Sequence, residues 1–236
     1  MQLALQLVSY AIGLPLEVLT MSAMLRGQWR HYPFVFLYLM GDFVTTLLEI
    51  RPGLVNETAS AAEKKAFAWL YWWDERVMQV LVFLLVISLI YRAAAHLKSR
   101  NLLVAACVCG ILFYAGVTYL ISYDATLTTG TWMNPWLRHL NFSAAILDLG
   151  LWALLIGAKR KDHKLLMVSG ALGIQFTLGA IGQALRYISH SSVQVTGYLI
   201  ACSSTACIYI FWQAFRLPAE RKLPASPAPR EKAGLP

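Results

Sequence analysis

The chain has 236 residues, of which 58% are hydrophobic and 14% charged, and its mean hydropathy is +0.56. That balance argues against a soluble enzyme or binding domain and for a membrane protein. The net charge of +8 does not indicate nucleic-acid binding, because no basic surface is interleaved with aromatic residues.

Seven apolar runs follow one another, at about 3–25, 33–50, 69–92, 102–123, 138–157, 165–185 and 196–215. Each approaches the roughly 20 apolar residues that cross a hydrocarbon core. Lipid offers backbone groups no partners, so each run is predicted to be a helix. The expected fold is all-α: a polytopic seven-transmembrane-helix bundle over residues 1–216, followed by a tail at 217–236. The first run opens MQLALQLVSY, without the basic residues of a secretory signal, and is read as a retained helix. Pro52-Gly53 is predicted to stop the second helix. Ser60 and Glu63 fit a capping box, so a helix should start near residue 60 and run into the third span. The tail LPAERKLPASPAPREKAGLP is rich in Pro, Ala and charge, and is expected to be disordered and cytoplasmic.

Charge placement sets the expected orientation. With the N-terminus outside, fourteen of the twenty basic residues fall on the inner side. They include Arg26, Arg30, Arg92, Lys98, Arg100, Lys164 and Arg216. This follows the positive-inside rule and predicts a multi-pass protein of the cell inner (plasma) membrane, with a cytoplasmic C-terminus. The basic loops and the tail are the expected contacts for anionic lipid or a cytoplasmic partner. Trp69, Trp72, Trp73, Trp132 and Trp136 mark the outer interface, and Trp29, Tyr209 and Trp212 the inner one.

Cys107, Cys109, Cys202 and Cys207 all lie within apolar runs, with no Cys-x-x-Cys spacing. They read as small buried apolar groups. The five histidines are scattered near the loops, so no metal or cofactor site is signalled. Ser203, Ser204 and Thr205 have no histidine at comparable depth to activate a nucleophile.

Every run carries a polar or small stripe at helical spacing, which should turn inward. Asp42 and Glu49 share a face of the second run, as do Glu75 and Gln79 of the third and Arg138, Asn141 and Asp148 of the fifth. The sixth carries Gln175, Gly179, Gly182 and Arg186. Two candidate sites follow. Glu49, Glu75, Gln79, Arg138, Asn141 and Arg186 gather opposite charges toward the outer end, as for a ligand. Glu17, Asp42 and Asp148 lie deeper, where an ionised acid costs roughly 2.5–3.5 kcal/mol. No Lys or Arg shares their depth, so at least one should carry its proton at neutral pH. Such carboxyls suit a proton relay.

The segments RHYPFVFLYL, WLYWWDE and LRHLNFSAAILDLGLWALLIGAK resemble a set of uncharacterised bacterial seven-helix integral membrane proteins. The resemblance implies the seven-helix architecture and no catalytic residue. The NPxxY of G-protein-coupled receptors and the seventh-helix lysine of microbial rhodopsins are both absent. The leading expectation is a non-enzymatic sensor or ligand-binding module with an outward-facing polar site. The alternatives are a proton-coupled small-molecule transporter using the deep carboxyls, and an intramembrane enzyme acting on lipid or isoprenoid.

Overall fold

The computed structural model describes the backbone of residues 2–55, 60–124, 126, 129–157, 162–188 and 193–216. Within these, the side chains of 2–9, 49, 51–55, 61, 96, 129–131, 183, 186–188 and 193–196 lie outside the description. The tail at 217–236 also falls outside it. Among the described residues the chain is all-helical: α1 (Gln2–Leu25), α2 (Pro33–Val55), α3 (Ala61–Ala93), α4 (Arg100–Ser122), α5 (Thr129–Gly157), α6 (His163–Ile188) and α7 (Val193–Arg216), with a 3-10 turn at Ala94–His96. Five, α3 to α7, are long and apolar enough to cross a membrane. The described apolar stretches of α1 and α2 are shorter, Tyr10–Leu25 and Pro33–Leu48.

Boundaries follow local chemistry. Ser60 caps α3 as anticipated: its hydroxyl accepts from the Glu63 N–H, and the Glu63 carboxylate accepts from the Ser60 N–H. Gly27, at φ +121°, turns the chain out of α1, a conformation a Cβ would oppose. Two expectations are corrected. Pro52-Gly53 does not stop α2, which runs on to Val55. α5 begins at Thr129, well before 138, and takes Pro135 inside its first turns.

Packing order gives the architecture. The elements with the most extensive contacts are α6 with α7, α1 with α7, and α5 with α6. Contacts of α2 with α3, α3 with α5 and α1 with α2 close a ring, α1–α2–α3–α5–α6–α7. The remaining helix, α4, stands outside it against α5 and α3, and Thr118 is its one buried residue. An aromatic cluster fastens it: Tyr119 and Tyr123 meet Trp132 edge to face, and Trp136 donates from Nε1 to the Ala115 carbonyl at 3.2 Å. Lipid is as apolar as leucine, so close fit rather than water exclusion holds such a ring together. Gly41 shows this. A methyl group there would come 2.8 Å from Leu81 Cδ1 and 3.2 Å from Met78 Sδ, so the glycine lets these α3 side chains rest directly on α2.

One end of the bundle carries Arg26, Arg30, Arg92, Lys98, Arg100, Lys164 and Arg216, with Asp162 among them. This basic end is tied shut. The turn between α1 and α2 is held by Arg92, which donates to the His31 carbonyl and lies 4.1 Å from the Tyr32 ring centroid. Tyr32 donates to Asp162 Oδ2 at 3.5 Å and packs edge to face on Phe215. Lys164 donates to Gln28 Oε1, and Gln28 donates to the Phe215 carbonyl. Burial, then the Asp162 charge, push the Tyr32 phenol up to about 12, with Arg92 opposing.

Candidate functional site

Helix bounds place the deep acids in one layer. Glu17 stands eight residues before Leu25, Asp42 nine after Pro33 and Asp148 nine before Gly157. At a rise of 1.5 Å per residue, all three lie about 12–14 Å from the basic ends of their helices. Cys207, nine residues before Arg216 on α7, shares that depth.

The ring turns this shared depth into proximity. Asp42 lies within electrostatic reach of Glu17, Tyr38 and Cys207, and Asp148 within reach of Cys207. Glu17 is 3% exposed, Tyr38 3%, Asp148 1% and Cys207 1%, while Asp42 is half-buried. Thus α1, α2, α5 and α7 each contribute to one cluster, and α6 completes it. Gln175 donates from Nε2 to the Tyr38 hydroxyl at 3.0 Å, and Ser169 donates to Asp148 Oδ1 at 3.0 Å.

Local sequence explains each placement. Tyr38 and Asp42 are four residues apart, hence neighbours on one face of α2. Asp148 and Trp152 are likewise neighbours on α5. They lie against α6 where it is smallest: a methyl group at Gly173 would come 2.8 Å from Asp148 Oδ2, and one at Gly170 would come 3.4 Å from Trp152 Cζ2. Gly173 is therefore the seat of the Asp148 carboxyl, and Gly170 that of the Trp152 ring.

The layer is also where hydrogen bonding is incomplete. Among the described residues, three buried side-chain atoms lack a partner: Glu17 Oε2, Gln175 Oε1 and Gln79 Nε2. Nearby hydroxyls do not help, because Thr20 donates to the Leu16 carbonyl and Ser203 to the Ile200 carbonyl of their own helices. Unmet buried polar groups are costly and uncommon in native structures.

The residues expected at the outer end are spread out. Met78 and Leu81 lie against Gly41, so Gln79 stands level with the carboxyl layer rather than above it. Glu75 lies one turn farther from the basic end and accepts from Tyr71 at 3.1 Å. Its neighbour Asp74 reaches Asp42 electrostatically. Asn141 and Arg138, both half-buried, continue α5 beyond Asp148 by about 10 and 15 Å. Arg76 turns to Met133 Sδ, 3.4 Å away, and to the Trp73 ring. The side chains of Glu49 and Arg186 lie outside the described residues.

Sequence reasoning did not single out Tyr38, Ser169 or Cys207. A signal existed for the first, since Tyr38 precedes Asp42 by one turn. By sequence Cys207 looks like an apolar filler, and only the folded ring brings it within electrostatic reach of two acids. All four cysteines are free thiols, and no group of three or more His, Cys, Asp or Glu among the described residues is placed to hold a metal.

No protein-family model matches this chain, and no curated protein or solved structure matches it. Its site is therefore interpreted from its own chemistry.

Proposed function

We propose that the protein is a proton-coupled small-molecule transporter of the plasma membrane, with seven spanning helices, the N-terminus outside and the basic end in the cytoplasm. The observation that carries this reading is a string of acids. Glu75 neighbours Asp74, Asp74 reaches Asp42, and Asp42 reaches Glu17, each within electrostatic range of the next. The deeper carboxyls of the string, Asp42 and Glu17, have no Lys or Arg at their depth on their own helices and suit proton transfer, because each can exchange a proton at tolerable cost. The string leads from the end away from the basic residues into the closed layer. The tied basic end supports an outward-open form.

Reconstituted vesicles loaded with a pH dye test this reading. An imposed proton gradient should collapse faster than in empty vesicles, and Asp42→Asn should slow the collapse about tenfold or more, the range for removing one positioned proton carrier. Leakage equal to empty vesicles, unchanged by Asp42→Asn, would count against it.

A second reading is a ligand sensor using Glu49, Glu75, Gln79, Arg138, Asn141 and Arg186, which signals to a cytoplasmic partner through the basic loops or tail. The unmet amide of Gln79, 7% exposed, favours it. A ligand that raises the melting temperature of the wild type but not of Gln79→Met, without proton movement, would select this reading.

A further inference from the structure

The identity of the unmet atoms narrows what the layer can hold. Glu17 Oε2 and Gln175 Oε1 are both acceptors, and both are buried without a donor. They belong to one cluster, because Tyr38 bonds to Gln175 and lies within electrostatic reach of Glu17. Glu17 is more than nine-tenths buried. The charge pattern agrees. The titratable groups facing this layer are Glu17 from α1, Tyr38 and Asp42 from α2, Asp74 from α3, Asp148 from α5 and Cys207 from α7. The described part of α6 adds Gln175 and Ser169 and no charge at this depth. Arg76 lies within a turn of Gln79 on α3 and is turned to Met133 Sδ and the Trp73 ring; no other Lys, Arg or His of the described residues lies within a turn of the layer. Beside Glu17 and Gln175 an anion would meet like charge and acceptors; the unmet donor of the layer, Gln79 Nε2, belongs to α3. A neutral apolar molecule would leave both acceptors unmet.

We infer that the layer binds a small primary or secondary ammonium ion, whose N–H groups donate to Glu17 Oε2 and Gln175 Oε1. This inference rests on the transporter reading and names its cargo. Asp42 and Asp148 balance the charge. The ion enters as a proton leaves one carboxylic acid for water, so the charge of the layer is the same before and after. Exchange of this kind couples cargo to protons without any other partner. N–H donors are essential to the argument, so a quaternary ammonium of similar size should bind poorly.

The test uses the full chain in lipid nanodiscs, in weak buffer with a pH dye, and n-butylammonium as the probe. Butylammonium should bind and release protons. Tetramethylammonium and n-butanol should bind at least about tenfold more weakly, the loss expected for hydrogen bonds to a charged donor left unmade. Gln175→Met should weaken butylammonium by about the same factor, and should leave the pH-dependent infrared bands of the carboxyls in place. The comparison of probes on the wild type decides the matter even if that variant folds poorly. Should butylammonium bind no better than butanol while Asp42-dependent proton flux persists, the layer takes protons alone. The cargo inference then falls and the transporter reading survives. If neither flux nor carboxyl titration is seen, the transporter reading itself falls, and the cargo with it.

Discussion

The basic end and the carboxyl layer lie about 12 Å apart and treat polar groups in opposite ways. At the basic end, Arg92, Tyr32, Asp162, Lys164 and Gln28 each have a named partner, and the bonds join α3, the α1–α2 turn, the start of α6 and the end of α7. In the layer, Glu17 Oε2 and Gln175 Oε1 have none among the described residues, and acids face acids. The lesson is that polarity inside a helix bundle has two meanings. Completed hydrogen bonds fix the structure. Uncompleted ones cost stability and persist where the molecule uses them.

The contrast can be broken in order of expected effect. Arg92→Ala removes both the bond to the His31 carbonyl and the ring contact with Tyr32. It should lower unfolding stability by about 2–4 kcal/mol, measured by reversible denaturation in mixed micelles. A loss under about 0.5 kcal/mol would mean the basic end is only a solvated surface. Glu17→Met should act in the other direction. Removing an unmet buried carboxyl should raise stability by about 1–3 kcal/mol while proton flux disappears. A destabilised variant would show that Glu17 is structural.

Gly173→Ala sharpens the picture of the seat. Its methyl group must displace the Asp148 carboxyl, at a cost of about 1–2 kcal/mol for overpacking. The Asp148 infrared signature should shift, because the Ser169 bond is disturbed. An unshifted band would place the carboxyl elsewhere.

Tyr32→Phe gives a smaller effect with a pH signature. The folded chain holds the Tyr32 proton up to about 12, against an ordinary value near 10. Between those values the folded state binds more protons than the unfolded state, so the contribution of Tyr32 is complete below pH 10 and falls as pH rises through the window. The wild type should lose stability there faster than the variant, and parallel curves would contradict the burial assigned to Tyr32. The smallest change is Ser203→Ala. Its hydroxyl serves only its own helix, so stability should move by less than about 0.5 kcal/mol and flux should be unchanged.

Much of this molecule was legible in its sequence. The apolar runs give seven helices in order, and Ser60 with Glu63 gives the start of α3. Helix ends were harder. The residues of α5 from Thr129 to Pro135, TGTWMNP, have no apolar period, so a reading based on hydropathy begins too late. Pro52 forfeits one helical bond and its ring crowds the carbonyl four residues back, which makes a helix end the natural reading there, yet α2 continues to Val55. The exclusion of α4 from the ring was not legible. Its stripe of Gly110, Tyr114, Thr118 and Ser122 has the same spacing as stripes that turn inward. Yet Thr118 donates only to carbonyls of its own helix, those of Tyr114 and Ala115. The sequence also gives the depth of Glu17, Asp42 and Asp148 but not their neighbours. Packing across the ring brings Cys207 within electrostatic reach of two acids, and close packing at Gly41 decides that Gln79 is level with them. These facts are tertiary and have no local signature.

The most direct test of the account is pH-difference infrared spectroscopy of the protein in lipid, comparing the wild type with Glu17→Gln, Asp42→Asn and Asp148→Asn. The account predicts at least one protonated-carboxyl band at neutral pH that fades as pH rises and that is removed by at least one of the three substitutions. If all three carboxyls are ionised at neutral pH, with no band lost in any variant, the layer is neither buried nor proton-exchanging, and the account is wrong.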